Sequence, residues 1–158
     1  MNAGKIFGAG LILTAAVAGL AMYWLQEYAY YAEVDLAGGD GISLTPIVGG
    51  PAVAIPAEDL RAIDADSSPL RFRACFTTPL SLAMLSETYQ GYDGAVPLIA
   101  PSWFDCFDAA AIGAALEAGQ ALAFLSQAGI APQTDRVVAV FPDGRAFAWH
   151  QIAPEGTE

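Results

Sequence analysis

Two cysteines and a single histidine are the residues of this 158-residue chain whose types suggest chemistry. Cys75 stands in RFRACFTTPL and Cys106 in WFDCFDAA, and each comes shortly before a predicted helix start. The two thiols could form a structural disulfide, act as a redox pair, or bind a metal together with His150. A redox pair usually has the spacing Cys-x-x-Cys, which the sequence lacks.

The structural disulfide is the favoured interpretation of the cysteines. It requires an oxidising compartment, and the topology inferred below places both cysteines in one. Closing the loop between Cys75 and Cys106 would stabilise the fold by about 3–4 kcal/mol in the chain-entropy model. A metal site needs three or four ligands, for which the chain offers the two thiols, His150 and Met84. We therefore predict a disulfide without metal or cofactor, with metal-handling or thiol-redox chemistry through Cys75, Cys106 and His150 as the alternative.

The sequence lacks the motifs of hydrolases with a nucleophilic serine and of nucleotide-binding enzymes. It contains no Gly-x-Ser-x-Gly elbow around a nucleophile and no phosphate-binding glycine motif. The carboxylate pairs Asp64 with Asp66 and Asp105 with Asp108 fit solvated loop acids and helix caps as well as they fit an acid–base pair. We expect no intrinsic catalysis.

An uncharged apolar run, IFGAGLILTAAVAGLAMYWL, fills residues 6–25. Its length suits a helix across a hydrocarbon core of about 30 Å, so residues 1–26 are predicted to be a transmembrane anchor. Tyr23 and Trp24 stand where an aromatic belt meets the membrane interface. The alternative is a cleaved signal peptide, because residues 16–18, Ala-Val-Ala, have the form of a cleavage site.

The small residues of this run could serve packing against another helix. Ala15 and Gly19 have the small-xxx-small spacing that lets two helices approach closely in lipid. The other interpretation is a generic anchor in which small residues have no partner, and the sequence does not separate the two.

Charge sets the orientation of the anchor. Lys5 precedes the run, whereas no basic residue follows it before Arg61, so the N-terminus is predicted to be cytoplasmic. Beyond residue 26, five arginines stand against seventeen acidic residues, a net charge of about −12. Such a surface repels nucleic acid, which we exclude as a partner, and it disfavours anionic lipid. The predicted location is a bacterial inner membrane, spanned once, with the C-terminal domain in the periplasm.

The rest of the chain is predicted to form one exported α+β domain over residues 42–153. A juxtamembrane extension and linker, residues 27–41, precedes it, and a disordered tail, residues 154–158, follows. We expect an antiparallel sheet of about five strands with two helices on one face. Strands are predicted over residues 42–48, 52–55, 70–76, 120–127, 136–141 and 145–152.

Helices and turns follow from local rules. The first helix should begin at Thr77 or Thr78 with Pro79 in its first turn, and the second should span residues 109–118 with Asp108 as its cap. Residues 58–66, EDLRAIDAD, suggest a helical turn or a loop. Pro-Asp-Gly at residues 142–144 predicts a tight hairpin that sets the register of the last two strands.

The whole pattern resembles an uncharacterised family of small single-span bacterial envelope proteins, a domain of unknown function. The resemblance is carried by AIDADSSPLRFRACFTTPLSLAML, PSWFDCFDAAAIGAALEAG and DRVVAVFPDGRAFAWHQI behind the anchor. Members are sometimes labelled histidine kinase, a label that this sequence contradicts, because it has no nucleotide-binding glycine box and no room for an ATPase domain. The resemblance implies no known activity.

These observations favour a membrane-anchored periplasmic accessory or interaction module of a larger membrane complex. Residues 6–25 would hold it in the inner membrane, and its partner would be another membrane protein.

Overall fold

The computed structural model of the protein describes residues 3–36 and 41–154. Part of the predicted linker and nearly all of the predicted disordered tail, residues 37–40 and 155–158, lie outside the described residues. Helix α1, Ala3–Trp24, continues as a π-helical segment, Leu25–Ala29. Together they are long and apolar enough to cross a membrane. A signal sequence would have the same properties, so anchor and cleaved peptide both stay predictions.

Within the described residues, a six-stranded antiparallel sheet forms the body of the domain and confirms the α+β class. Across the sheet the strands are β1 (Ala32–Glu33), β4 (Glu58–Asp64), β5 (Arg73–Thr77), β8 (Arg145–Ile152), β7 (Thr134–Val140) and β6 (Leu122–Ala131). Strands β2 (Ser43–Leu44) and β3 (Val53–Ala54) form a separate two-stranded sheet. The main sheet exceeds the expected five strands because two segments without a strand pattern, β1 and β4, join it.

Strand β4 corrects the expectation of a helical turn or loop at residues 58–66. Its pairing with β5 contains a bulge, since Glu58 lies opposite Thr77 but Arg61 lies opposite Cys75. Asp59 has a positive φ of 51° at this bulge, a conformation that interrupts the alternation of side chains. The hydrophobic pattern was therefore too irregular to indicate a strand.

Both faces of the sheet are buried. Neighbouring residues of β7 enter different apolar clusters, Val138 on one face and Val137 on the other. We call the side that carries Val138 and His150 the histidine face, and the side that carries Val137 and Cys75 the disulfide face. The central strands are apolar on both sides, so each face requires its own cover.

The two helices lie on opposite faces, which corrects the prediction that they share one. Helix α2, Leu82–Thr88, contributes Leu85 to the cluster of the histidine face. Helix α3, Ala109–Glu117, contributes Ile112 to the cluster of the disulfide face. A single covered face was the wrong expectation because the strands do not alternate between apolar and polar residues.

The start of α2 lies later than predicted. Ser81 is its N-cap, and the hydroxyl accepts a backbone N–H from the first turn. Thr78 is instead held by the hairpin, because its N–H donates to the carbonyl of Gly144 at 2.9 Å. Pro79 consequently precedes the helix. Tertiary contact has displaced a local capping preference here.

Helix α3 and the last hairpin agree with the predictions. The Asp108 carboxylate accepts the N–H of Ala111 at 3.0 Å and caps α3. In the hairpin, Val140 lies opposite Ala146, the register that a Pro-Asp-Gly turn imposes. Gly144 has a φ of +88°, and a Cβ there would stand 2.8 Å from a backbone oxygen, so only glycine fits.

Candidate functional site: the junction between the span and the sheet

The two cysteines are joined. Cys75 lies in β5 and Cys106 in the segment before α3, and a disulfide connects them with Cα atoms 6.3 Å apart. Both belong to the disulfide face, where Cys75 packs in the cluster that holds Phe104 and Phe107. The bond ties the long loop between α2 and α3 to the centre of the sheet.

The alternative metal site is not assembled. His150 lies on the histidine face and the disulfide on the other side of the sheet, so the three predicted ligands do not meet. In residues 3–36 and 41–154, no group of three histidine, cysteine or acidic side chains could hold a metal ion. Met84, the fourth ligand considered, is on α2 and hydrogen-bonds to Thr88 within that helix.

His150 is a buried, neutral member of the sheet. Its Nδ1 donates to the carbonyl of Pro69 at 2.6 Å, so the proton resides on Nδ1. Its Nε2 accepts from Nε of Arg136 at 3.0 Å, and its ring stacks on Phe72 with centroids 4.6 Å apart. Burial, followed by the nearby arginines, lowers the pKa of His150 to about 4. Both ring nitrogens of His150 are thus hydrogen-bonded within the domain.

The most specific polar arrangement connects the end of the apolar helix to the domain. Oε2 of Glu27, just beyond the span, accepts from the backbone N–H of Ser102 at 2.9 Å and from its hydroxyl at 3.2 Å. The indole N–H of Trp103 donates to the carbonyl of Glu27 at 2.6 Å. We call Glu27, Ser102 and Trp103 the junction. Three hydrogen bonds hold one helical turn against the α2–α3 loop.

Aromatic and strand contacts extend the junction. Tyr31 makes an edge-to-face contact with Trp103, and the guanidinium of Arg71 lies 5.3 Å from the centre of the Tyr31 ring. Directly afterwards, β1 pairs with β4, and the N–H of Val34 donates to the carbonyl of Ala62 at 2.9 Å. The described part of the segment predicted as a linker is thus bound to the α2–α3 loop before Tyr31 and to the sheet after it.

A buried arginine holds the loop that carries the junction. Arg73 is 3 % exposed. Its guanidinium donates to four backbone carbonyls, those of Leu70, Phe72, Leu98 and Ile99, over 2.6–3.1 Å. Burial lowers the pKa of Arg73 to about 10, so the group stays charged at neutral pH. The loop is fixed from within by this cation and, at Cys106, by the disulfide.

The residues predicted for the membrane lie apart from the junction's hydrogen bonds. Tyr23 and Trp24 are 54 % and 58 % exposed near the end of α1, and their role as an interfacial belt stays a prediction. Ala15 and Gly19 share one side of α1, and a Cβ at Gly19 would meet nothing within 4 Å. Their packing role stays a prediction.

Sequence reasoning missed the junction and Arg73. Glu27 fell in the segment predicted as a juxtamembrane extension and linker, and Ser102 and Trp103 lay outside the predicted strands and helices. The available signal was weak: an isolated tryptophan in a loop and an acid directly beyond an apolar helix. Their partnership spans 76 positions of sequence, which no local pattern reveals.

Fold and junction together define a class: a small antiparallel α+β domain docked onto the end of an N-terminal helix that could span a membrane. The chain belongs to the family of unknown function DUF6446, whose model matches residues 42–158. The comparison with curated proteins finds no match, and neither does the comparison with solved structures.

Proposed function

We propose that the protein is a membrane-anchored accessory module of a larger membrane complex, without catalysis of its own. The observation that carries this proposal is the junction, where the helix end is hydrogen-bonded to the domain through Glu27. A flexible tether would suffice for an enzyme acting on a diffusing substrate. A bound helix end instead holds the domain at one height and angle above the bilayer, as a docking module needs.

The proposed location is the periplasmic side of a bacterial inner membrane. The single lysine, Lys5, precedes the apolar run and acids follow it, which favours a cytoplasmic N-terminus. A disulfide between Cys75 and Cys106 suits the oxidising periplasm. A reporter enzyme that becomes active only outside the cytoplasm should be active when it is fused after Glu158. Activity of a strictly cytoplasmic reporter at that position would contradict the orientation.

The partner is proposed to include a transmembrane helix that packs on Ala15 and Gly19. Leucine at both positions should release the protein from its complex while keeping it in the membrane, because leucine is apolar but fills the groove. Val17→Leu with Ala21→Leu is the matched control, since these residues have the same spacing on roughly the opposite side of α1. Crosslinking in native membranes, followed by mass spectrometry, measures the complex.

Two results would contradict the proposal. Equal release by the control pair would show that any leucine in the helix disturbs the complex. Full complementation of a knockout by the periplasmic domain without residues 1–26 would show that tethering is irrelevant, and a diffusing activity would then explain the phenotype better.

A further inference from the structure

The α2–α3 loop exposes apolar side chains from a segment without charge. Between Asp93 and Asp105 the sequence reads GAVPLIAPSWF. Ile99 in this segment is 83 % exposed and Val96 58 %. Single exposed apolar residues are common on soluble proteins. Here two exposed apolar side chains lie in one uncharged loop, and that loop is bound to the end of a candidate membrane span.

Hydrogen bonds hold the backbone of this loop at its apolar tip. Nη2 and Nε of Arg73 bind the carbonyls of Ile99 and Leu98 at 3.1 Å and 2.7 Å. At the other end, the N–H of Val96 donates to Oε1 of Gln151 at 2.8 Å. The carbonyls of Leu98 and Ile99 face this buried cation, while the Ile99 side chain lies at the surface, 83 % exposed. The folded domain thus presents the Ile99 side chain at its surface.

The loop is attached close to the end of the apolar run. The N–H of Ser102 binds Glu27, which is two residues beyond Leu25, the end of the apolar run. Ile99 lies three residues before Ser102, a distance of at most about 11 Å along an extended chain. The headgroup region adds about 5–7 Å beyond the hydrocarbon core on each side. Ile99 is thus within reach of the headgroups.

We propose that residues 95–100, the membrane-contact loop, insert into the leaflet from which the end of α1 emerges, with Ile99 deepest. The inference rests on the proposed function, since it requires α1 to span the bilayer. The ligand is the headgroup–acyl boundary of zwitterionic phospholipid. The net negative charge of the domain disfavours anionic headgroups, so apolar burial drives the contact. Asp105, whose side chain is 79 % exposed, limits the depth.

The insertion depth of the loop can be measured on the full chain in phosphatidylcholine nanodiscs. Single cysteines replace Ile99, Val48 and Leu13 in turn and receive a nitroxide, while the native cysteines remain bonded and unreactive. Relative accessibility to oxygen and to a water-soluble nickel complex gives the depth of each label. Val48 is the matched control, because it is an apolar residue, 95 % exposed, in the turn between β2 and β3. Leu13 reports on the span itself.

The expected result places Leu13 in the hydrocarbon core, Ile99 about 5–10 Å into the interface, and Val48 in water. If Leu13 is deep but Ile99 is in water, the loop does not insert and this inference is overturned, while the proposed anchoring stands. If Val48 is as deep as Ile99, the contact is not specific to the loop and the inference is also overturned. If Leu13 is in water, the anchoring proposal fails, and the inference fails with it.

Discussion

Lowering the pH should destabilise the domain through His150. In the folded protein His150 is 5 % exposed, its Nδ1–H donates to the Pro69 carbonyl, and its Nε2 accepts from Nε of Arg136. A second proton on Nε2 would meet another donor and a positive charge in a buried site. The pKa of His150 is accordingly lowered to about 4.

The sign and size of the effect follow from linkage. An unfolded histidine has a pKa of about 6.5, so below this pH the unfolded chain binds more protons than the folded one. The contribution of neutral His150 is complete above pH 6.5 and is lost as the pH falls toward 4. Between pH 7 and pH 5 the free energy of unfolding should fall by about 2 kcal/mol from this residue.

Urea unfolding of the full chain in detergent micelles, followed by tryptophan fluorescence, measures this loss. His150→Gln is the matched control, because glutamine can donate and accept hydrogen bonds but does not titrate. Asp64, whose pKa is raised by burial, shifts stability in the opposite direction as the pH falls, and it does so in both proteins. The wild type should therefore lose about 2 kcal/mol more than the variant. Equal losses in both would refute the assigned role of His150.

Three further predictions concern the disulfide, the hairpin and the junction. Replacing Cys75 and Cys106 by alanine should lower the free energy of unfolding by about 3–4 kcal/mol, and two free thiols in protein from native membranes would contradict the bond. Gly144→Ala should lower the free energy of unfolding by more than about 1 kcal/mol. Gly119→Ala should lower it less, because Gly119 also has a positive φ but has open space around it. Denaturant midpoints of the two variants measure the difference. Trp103→Phe keeps an aromatic ring and removes the indole donor, so hydrogen exchange should rise at residues 25–31, and unchanged exchange would exclude the junction as a constraint.

Elements governed by neighbouring residues were predictable. Pro-Asp-Gly restricts the turn to a few backbone conformations, and the register of β7 and β8 follows from it. Asp108 caps α3 through a contact three residues away. The apolar run before residue 26 needs only its length and hydropathy to qualify as a span. The disulfide was favoured because the inferred topology places both cysteines in an oxidising compartment, and its partners were fixed because the chain has no other cysteine.

Elements that depend on contacts between residues far apart in the sequence could not be predicted. Strand β4 exists because β5 offers backbone hydrogen bonds, although Asp59 disturbs its pattern. Which face each helix covers depends on how the chain crosses the sheet, and both faces are equally apolar at the centre.

By itself, the sequence determined the apolar run, the α+β class, the final hairpin and the disulfide between the two cysteines. Each depends on composition or on contacts within a few residues, where few conformations compete. Only the tertiary structure showed that Glu27 hydrogen-bonds to Ser102 and Trp103 and that Arg73 donates to backbone carbonyls of the same loop. Such contacts depend on the whole fold, because many polar residues could satisfy a given carboxylate or carbonyl. Only the folded chain brings one set within hydrogen-bonding distance.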